Sequence, residues 1–482
     1  MYSTHYDVVI VGAGVAGSAL AHALTASPIA SSSRHKPLRI ALLERSLAQP
    51  DRIVGELLQP GGVLALRELG MEDCLDGIDA VPVKGYCVAK EGETVQIPYP
   101  GKHEGRSFHH GPFIQRLREK ALAAPGVDTI EATVSELIEC PLTGRILGVK
   151  ATRKDGGPEK EPFYGDLVVV ADGCFSNFRT KVMGRAGIES ETKSYFVGAV
   201  LEDAKLPIPH HGTVALVQGQ GPVLLYQIGE HDTRMLVDVK KPLPSDLKHH
   251  ILTNIVPQLP SSLHLPITNA LEKERLRQMP NSWLPPAEQG TKHSKEGVIL
   301  IGDSWNMRHP LTGGGMTVAF NDVVILSKLL LQINDFSDWD AMSHALHQWH
   351  WSRKSLSSTV NILSVALYDL FGADDEYLAV LRNGCFKYFE RGGECVNGPV
   401  SLLSAVAQDP FLLFRHFFAV AFYSIWCMFT HPRRVSSSTS DKLVLAAPGL
   451  DEYPALFVKA FWVFWTACVV FGPLMWTEIR WW

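Results

Sequence analysis

The sequence predicts an α/β fold with an interleaved β-sheet domain and an apolar, helical C-terminal segment. Three observations support this prediction. A strand, a glycine-rich turn and a helix follow one another at the N-terminus, short β-like runs and amphipathic stretches continue to about residue 400, and two long aromatic-rich stretches come after them. With 482 residues, of which 46% are hydrophobic and 20% charged, the chain is long enough for roughly two to four globular domains.

The first motif places a turn of spaced glycines between an apolar strand and a helix. Residues 6–11 read YDVVIV, and Gly12, Gly14 and Gly17 follow in the pattern G-x-G-x-x-G. Gly12 permits the tight turn, Gly14 lets a pyrophosphate approach the backbone, and Gly17 allows the helix to pack closely on the strand. The motif predicts a Rossmann-type dinucleotide-binding domain. The alternative is a turn in which the glycines serve packing alone.

A second predicted strand, over residues 38–43, ends at Glu44. A carboxylate at this point accepts hydrogen bonds from a ribose hydroxyl in dinucleotide-binding folds. Glu44 lies 27 residues beyond Gly17, which exceeds the usual spacing of about 20. We assign the surplus to a Ser- and Pro-rich surface loop over residues 27–37.

Two later strands carry carboxylates at their ends and favour FAD over NAD. Residues 166–173 form an apolar run ending in Asp172-Gly173, and residues 297–303 form another ending in Gly302-Asp303. Each carboxylate is placed to accept a hydrogen bond from a ribose or ribityl hydroxyl. The alternative is that each aspartate only caps the N-terminus of a helix. Glycines 313–315 then open a predicted helix over 317–332, where bare backbone N–H groups can face a flavin ring.

Charge and cysteine content exclude several classes of protein. The 45 Lys and Arg against 50 Asp and Glu give a net charge of −5, which argues against nucleic-acid binding. The eight cysteines show no CxxC pair and no zinc-like spacing, so we expect reduced thiols and no metal site. The N-terminus shows no signal peptide, and we expect the body of the chain to face the cytosol.

The C-terminal region predicts membrane attachment through two helices, at about residues 410–429 and 455–476. Each is near the length of about 17–25 residues that spans a bilayer, but Arg415 interrupts the first and Lys459 the second. Two full spans and a pair of interfacial helices both remain open, and a buried hydrophobic subdomain is the alternative to either. The intervening residues 430–453 suggest a solvated connector. Tryptophans resembling an interfacial belt stand at 462, 465, 476, 481 and 482.

The order of these motifs resembles the group A FAD-dependent monooxygenases, and longer stretches resemble the squalene epoxidase family of fungal type. Residues 51–62, DRIVGELLQPGG, and 306–320, NMRHPLTGGGMTVAF, look like signatures of that family. So do Gly85-Tyr86, residues 96–100 (QIPYP), 386–389 (FKYF), 392–395 (GGEC) and 416–421 (HFFAVA).

The resemblance implies an FAD enzyme of sterol (ergosterol) biosynthesis that converts squalene to (S)-2,3-oxidosqualene. It implies electrons from NADPH through the NADPH–cytochrome P450 reductase, and a place on the endoplasmic reticulum membrane. FAD contacts carried over from the family fall on Val15, Ala16, Glu44, Arg45, Arg52, Arg118, Val134, Asp303 and Met316. Gln59 and Tyr86 match a hydrogen-bonded catalytic pair near the flavin. Residues matching the squalene channel are Pro310, Phe371, Phe386, Phe389 and Leu402.

From these signals we expect a discontinuous domain organisation. Residues 1–80, 110–185 and 290–335 would form the FAD-binding domain, residues 81–109 and 186–289 the substrate-binding sheet domain, and residues 336–482 the helical region.

The chemistry fits the residues, because an epoxidation takes its oxygen from the flavin and the protein supplies a dry, shaped pocket. The aromatic-rich region 363–422 supplies candidate walls. Tyr86, with an ordinary pKa near 10, would orient groups as a hydrogen-bond donor. The pair Arg308-His309 would supply positive charge near the flavin, or else brace its loop by an ion pair.

Three other functions remain open at this stage. A paralogue in secondary metabolism would epoxidise another prenyl or triterpene chain with the same flavin motifs. A non-catalytic FAD- or NAD-binding membrane protein would show no oxygen consumption. A simple NAD dehydrogenase is disfavoured by the Gly302-Asp303 and triple-glycine segments.

Overall fold

The computed structural model describes residues 5–26, 28, 30, 37–184, 189–273, 276–372, 375–437 and 440–478, with the backbone alone at 433–437 and 440–446. Most of the predicted loop over 27–37 lies outside the described residues, as do Trp481 and Trp482.

Within the described residues the chain forms eighteen strands and twelve α-helices. The strands are β1 His5–Val11, β2 Ile40–Glu44, β3 Leu57–Leu58, β4 Val81–Val83, β5 Gly85–Lys90, β6 Glu93–Pro98, β7 Gly105–Ser107, β8 Val127–Glu139, β9 Ile146–Arg153, β10 Glu161–Val170, β11 Glu191–Glu202, β12 His211–Ala215, β13 Val223–Gln227, β14 Asp232–Lys240, β15 Arg277–Trp283, β16 Val298–Leu300, β17 Arg433–Ser437 and β18 Ser440–Ala446. The helices are α1 Val15–Thr25, α2 Pro60–Glu68, α3 His110–Leu122, α4 Arg179–Met183, α5 Leu247–His250, α6 His264–Lys273, α7 Gly315–Leu330, α8 Trp339–Gly372, α9 Glu376–Glu390, α10 Glu394–Leu403, α11 Pro410–Thr430 and α12 Tyr453–Glu478.

A parallel sheet forms the centre of the first layer. β1 lies between β2 and β10, β8 pairs with β2, and β16 pairs with β10, all in parallel. Val8, Val9 and Ile10 are completely buried, as expected for a strand covered on both faces. The strands β8, β9 and β10 continue beyond this core as an antiparallel ladder. Because the parallel strands run the same way, the ends of β1, β2, β10 and β16 reach one edge of the sheet.

A seven-stranded sheet in the order β15-β11-β14-β13-β12-β5-β6 forms the second layer. Its neighbours are antiparallel except β12 and β5, which are parallel. One face buries Val197, Val237 and Ile267, the last of these from α6. The other face packs against side chains of α8, α9 and α10. A small sheet of β3, β7 and β4 lies at the junction with the first layer.

The C-terminal helices pack as one group against α8 and α9. α11 and α12 are the two described helices that are long and apolar enough to cross a membrane, and only 22% of the residues in each apolar stretch are buried. The predicted bounds of 410–429 and 455–476 agree with α11 and α12 to within a few residues. Between them the chain forms the hairpin β17–β18, within the stretch for which the sequence suggested a solvated connector. β-Branched residues such as Val435 and Val444 favour strands there.

The strands of the first sheet come from residues 5–44, 127–170 and 298–300, and those of the second from 85–98 and 191–283. The domain boundaries stated above stay a prediction, and the small β3-β7-β4 sheet draws on residues from both predicted domains.

Candidate active site

One large cavity of about 510 Å³ lies where the ends of the parallel strands face the seven-stranded sheet. Its volume is within the usual range of about 300–1,000 Å³ for small-molecule sites. Most of the predicted site residues line it, namely Gly12, Gly14, Val15, Ala16, Glu44, Arg45, Arg52, Gln59, Tyr86, Arg118, Val134, Asp303, Pro310 and Met316. Residues from seven separate stretches of sequence therefore surround one space.

The glycines of the first motif differ in what surrounds them. A Cβ on Gly12 would lie 2.5 Å from the carbonyl oxygen of Ala171, and the φ of Gly12 is +106°. A Cβ on Gly17 would overlap the carbonyl oxygen of Gly12, which explains why Gly17 packs the turn without lining the cavity. Gly14 has open space on its Cβ side, and no side chain caps the N-terminus of α1. The first N–H groups of α1 therefore remain available to an anion in the cavity.

Glu44 is oriented by the glycine turn and by Arg118. Its Oε2 accepts a hydrogen bond of 2.8 Å from the backbone N–H of Ala13 and lies 3.7 Å from a guanidinium nitrogen of Arg118. Arg118 also donates to the carbonyl oxygens of Ala13, at 2.9 Å, and Ala48, at 3.0 Å. The carboxylate is thus fixed at the end of β2 and keeps lone pairs for a further donor.

The two aspartates after β10 and β16 lie on the same wall of the cavity, because β10 and β16 are paired neighbours. Burial raises the pKa of Asp303, against the lowering effect of Arg52 and Arg179. Burial also raises the pKa of Asp172, whose Oδ2 accepts the N–H of Asn177 at 3.0 Å. Among the described residues, Asp172 Oδ1 is buried without a hydrogen-bond partner, and the half-buried Asp303 lines the cavity. Both carboxylates are therefore suited to accept hydroxyl hydrogens from a ligand.

A hydrogen-bonded chain connects Gln59 with two tyrosines. Tyr99 donates its hydroxyl to Gln59 Oε1 at 2.6 Å, while Gln59 Nε2 donates to Tyr86 Oη at 2.5 Å and to the carbonyl oxygen of Thr312 at 2.7 Å. Both amide hydrogens and the amide oxygen of Gln59 are therefore engaged, which fixes its orientation. Burial raises the pKa of both Tyr86 and Tyr99, so both phenols are neutral donors. The Tyr86 hydroxyl also lies 3.3 Å from the carbonyl oxygen of Thr312.

The triple glycine forms the turn before α7. Gly313 has a φ of +62°, and a Cβ on Gly314 would overlap Val360. Gly315 has open space on its Cβ side, and no side chain caps the start of α7. The predicted helix over 317–332 is observed two residues earlier, as Gly315–Leu330. This turn therefore presents bare backbone to the cavity, as the sequence predicted.

His110 lies in the cavity wall, although no sequence motif pointed to it. Its Nδ1 forms a hydrogen bond of 2.8 Å with the carbonyl oxygen of Gly55. Burial, together with repulsion from Arg52 and Arg118, lowers the pKa of His110 to about 4. The imidazole is therefore neutral near pH 7, and Nδ1 carries the hydrogen donated to Gly55.

A buried ion pair also went unpredicted. Glu56 accepts two hydrogen bonds from Arg234, at 2.7 and 2.8 Å, and its Oε2 lies 3.3 Å from the hydroxyl of Tyr226. Glu56 and Tyr226 line the cavity, and the pair joins the segment before β3 to the seven-stranded sheet. Glu56 belongs to the GELLQPGG stretch, but its partner lies 178 residues away, so no local signal indicated the pair.

The five residues predicted to line the squalene channel lie in three different places in the structure. Pro310 lines the cavity. Phe371, Phe386 and Phe389 are buried in the apolar cluster that backs the cavity wall, and are not part of its lining. Leu402 lies in a different cluster, which includes Phe471 of α12.

Arg308 and His309 both lie in the cavity wall, and Arg308 is held in an ion pair. Arg308 is paired with Glu478 at the end of α12, and both side chains are almost completely buried. Burial lowers the pKa of His309, which stacks on Tyr368 with ring centroids 4.0 Å apart. The structure shows the ion pair of the second interpretation. A positive charge near the flavin stays a prediction for Arg308, whereas the lowered pKa of His309 leaves its imidazole neutral near pH 7.

Known proteins resemble the chain in sequence. Residues 164–440 match the family model described as squalene epoxidase. Squalene epoxidase erg1 of Aspergillus fumigatus is 45% identical over 497 residues, which cover 98% of this chain and 94% of that protein. Squalene epoxidase ERG1 of Candida albicans is 38% identical, covering 99% and 100% of the two chains. Squalene monooxygenase of Mus musculus is 40% identical, covering 99% and 79%.

Solved structures resemble it in fold. The flavin-dependent brominase Bmp2 superposes with a TM-score of 0.65 at 15% identity, covering 87% of this chain and 99% of that one. PqsL of Pseudomonas aeruginosa, described as a probable FAD-dependent monooxygenase, superposes with a TM-score of 0.59 at 20% identity, covering 76% and 97%. At these identities the likeness shows the fold alone, an α/β fold shared with flavin-dependent enzymes.

Proposed function

The chain belongs to the squalene epoxidase family, and from this premise we propose how its residues serve the reaction. It is an FAD-dependent monooxygenase that epoxidises squalene in sterol biosynthesis. When bound, FAD would use two electrons from NADPH to activate O2, so that one oxygen atom of O2 can pass to squalene and the other leaves as water, and the protein needs to supply neither a nucleophile nor a metal.

The residues of the cavity fit FAD. The open side of Gly14 and the uncapped start of α1 suit the pyrophosphate, and Glu44 suits the ribose hydroxyls. The carboxylate of Asp303, which lines the cavity, can accept hydrogen bonds from the ribityl hydroxyls, and the unpartnered Asp172 Oδ1 can accept one from a further donor of the cofactor. Gly315, with open space above its backbone, suits the flavin ring. Contacts from Val15, Ala16, Arg45, Arg52, Arg118, Val134 and Met316 complete the proposed site.

The observation that carries the mechanism is the chain Tyr99–Gln59–Tyr86, which ends at the carbonyl oxygen of Thr312 immediately before the triple glycine. Because Gln59 has every hydrogen-bonding atom engaged, it holds the Tyr86 hydroxyl and the glycine turn at a fixed separation. We assign Tyr86 to orientation of the groups at the flavin. A raised pKa keeps its proton on the phenol at neutral pH, so it is not a base.

The apolar part of the cavity receives the hydrocarbon. Pro310, Leu311, Leu224 and Leu236 line it, and the buried phenylalanines 371, 386 and 389 lie behind this wall. These side chains exclude water and leave room for one terminal double bond of squalene beside the glycine turn. Leu402, in its separate cluster with Phe471, is proposed to lie further along the route from α12.

The protein associates with membranes, and we propose that α11 and α12 lie in the interface instead of crossing the bilayer. With 26 residues, α12 is about 39 Å long. Lys459 near its start pairs with Glu376 of α9 at 2.6 Å, and Glu478 at its end pairs with Arg308. Because α12 contacts the rest of the protein at both of its ends, we infer that it runs along the protein surface and places one apolar face in the lipid.

The location and the electron donor are proposed from the family resemblance. The membrane would be that of the endoplasmic reticulum, with the body in the cytosol, and the electrons would come from NADPH through the NADPH–cytochrome P450 reductase. Omission of the reductase should abolish turnover. Full turnover with NADPH alone would refute the reductase proposal. Sedimentation of the protein away from endoplasmic reticulum markers would refute the location.

The function is tested by incubating the purified protein with the reductase, NADPH, FAD, O2 and squalene, followed by identification of the product by mass spectrometry. We expect 2,3-oxidosqualene, formed in proportion to the NADPH consumed. FAD binding and NADPH oxidation without this product would mean that the substrate is another prenyl chain. The absence of bound flavin would refute the cofactor site itself.

A further inference from the structure

The C-terminal end of α12 is hydrogen-bonded to the segment 303–313, which leads into the triple glycine proposed to face the flavin. Glu478, in the last described turn of α12, is 3% exposed. Its Oε1 accepts hydrogen bonds from Nε of Arg308, at 3.2 Å, and from Nη2 of the same guanidinium. Arg308 stands five residues before Gly313 and five after Asp303.

Glu478 reaches the same segment by a second route. Its Oε2 accepts a hydrogen bond of 3.4 Å from Nδ2 of Asn361 on α8, and Asn361 Nδ2 also donates to Asn306 Oδ1 at 2.9 Å. Asn306, Arg308 and Asn361 all line the cavity. One carboxylate therefore contacts the 303–313 segment directly through Arg308 and indirectly through the two asparagines.

The backbone at the end of α12 is held as well. The carbonyl oxygen of Glu478 accepts hydrogen bonds from Nζ of Lys354 and, at 3.4 Å, from the hydroxyl of Ser358. Arg308 in turn donates to the carbonyl oxygens of Leu284 and, at 2.8 Å, Met307. Removal of either partner would leave a charge in a closed site, since Arg308 and Glu478 are 6% and 4% exposed in their side chains.

We propose that Glu478 is a positioning residue for the epoxidation site, which couples the docking of α12 to the geometry of the 303–313 segment. When α12 is docked, Glu478 holds Arg308, Asn361 and Asn306, so that Asp303 and the triple glycine take their places around the cofactor. The proposal rests on the proposed function for the identity of the cofactor and the substrate.

The test compares Glu478→Gln with Glu376→Gln. Both variants remove a carboxylate that is ion-paired in a contact of α12 with the body, but Glu376 pairs with Lys459 at the opposite end of the helix. FAD affinity is measured by flavin fluorescence, squalene turnover as kcat and KM, and docking of α12 by protease cleavage in detergent.

We expect Glu478→Gln to weaken FAD binding and to lower kcat, each by about 3- to 30-fold, the range typical of coupling through a contact network. We expect Glu376→Gln to change both by less than about twofold, as is usual for an exposed ion pair. Because Glu478→Gln leaves the buried Arg308 without its counter-charge, a second variant, Glu478→Gln with Arg308→Met, removes both charges. If the two residues act as a unit, the double variant binds FAD no more weakly than Glu478→Gln.

Unchanged FAD affinity and kcat in Glu478→Gln would overturn the proposal, and so would equal losses in Glu478→Gln and Glu376→Gln. Additive losses in the double variant would show that the two residues act separately and would also overturn it. A wild-type protein that binds FAD but does not epoxidise squalene would refute the proposed function alone, because the FAD affinities would still test the role of Glu478.

Discussion

Replacing Gly14 with alanine should separate cofactor binding from folding. Gly14 has a φ of −87°, which alanine adopts without strain, and its Cβ would meet no protein atom within 4 Å. Alanine makes the unfolded chain stiffer, which stabilises the fold by about 0.4–1 kcal/mol, but it is a poorer helix N-cap than glycine by a similar amount. The two effects oppose each other, so the stability of the apoprotein should change by less than about 0.5 kcal/mol.

FAD binding should respond quite differently to the same change. The added methyl group enters the space assigned to the pyrophosphate, and overpacking of this kind costs about 1–3 kcal/mol, or about 5- to 150-fold in affinity. At a FAD concentration of about 100 times the wild-type Kd, the cofactor stabilises the wild-type protein by about 2.7 kcal/mol. For a variant that binds about 30-fold more weakly, this stabilisation falls to about 0.9 kcal/mol.

The assay is urea unfolding of the apoprotein with and without FAD, together with a fluorescence titration of FAD. Gly17→Ala is the matched control, because its Cβ would overlap the carbonyl oxygen of Gly12 and must displace backbone. We expect Gly17→Ala to destabilise the apoprotein itself. A Gly14→Ala protein that binds FAD within twofold of wild type would refute the assignment of this turn to the pyrophosphate.

Three further predictions concern the catalytic chain, the acid response and the membrane face. Tyr86→Phe should lower kcat by about 2- to 12-fold, the worth of one neutral hydrogen bond, measured as squalene turnover at full FAD occupancy. The pKa of His110 is about 4 in the folded protein and near 6.5 in the unfolded chain, so the unfolded state binds more protons between these values. The free energy of unfolding should therefore decrease as the pH is lowered from 6.5 to 4, by about 3 kcal/mol in total. His110→Asn should remove this loss, measured by urea unfolding from pH 7 to 4. Trp426 and Trp465 are 60% and 54% exposed, and their replacement by serine should lower partitioning into liposomes by more than about tenfold, measured by flotation.

Each of these predictions has a contrary outcome and a control. Wild-type epoxidation by a fully flavinated Tyr86→Phe protein would defeat the orientation role, and Tyr99→Phe, which frees the oxygen of Gln59, serves as its comparison. An unchanged acid response in His110→Asn would mean that another group controls it. Leu142→Ser alters a 93% exposed side chain outside the C-terminal helices and should leave partitioning unchanged. Equal effects of this control and the tryptophan variants would refute the membrane face.

The strand–glycine–helix unit could be predicted because its signals are local. Gly12, Gly14 and Gly17 lie within six consecutive residues, and the apolar strand before them specifies burial on both faces. The same holds for the triple glycine before α7 and for the two apolar C-terminal helices, where the composition of one continuous stretch determines the element. Many of the residues that the family resemblance implies as FAD contacts also line the cavity, because the matched motifs are long and dispersed along the chain.

The cavity itself was decided by long-range packing. Gln59 meets the carbonyl oxygen of Thr312 across 253 positions, and Tyr99 meets Gln59 across 40, so neither pairing follows from a local period. For the same reason the phenylalanines 371, 386 and 389 proved to lie behind the wall and not in it, since composition specifies burial but not which face of a helix meets a cavity.

By itself the sequence determined the elements, the cofactor class and the apolar end of the chain, because short-range periodicity and glycine geometry are properties of neighbouring residues. Only the tertiary structure decided what Arg308 does, since a guanidinium can face a ligand or an ion partner equally well in sequence terms. Its partner, Glu478, lies 170 residues away on a membrane helix. A charge buried in the protein requires a counter-charge, and the fold alone brings that counter-charge to the loop.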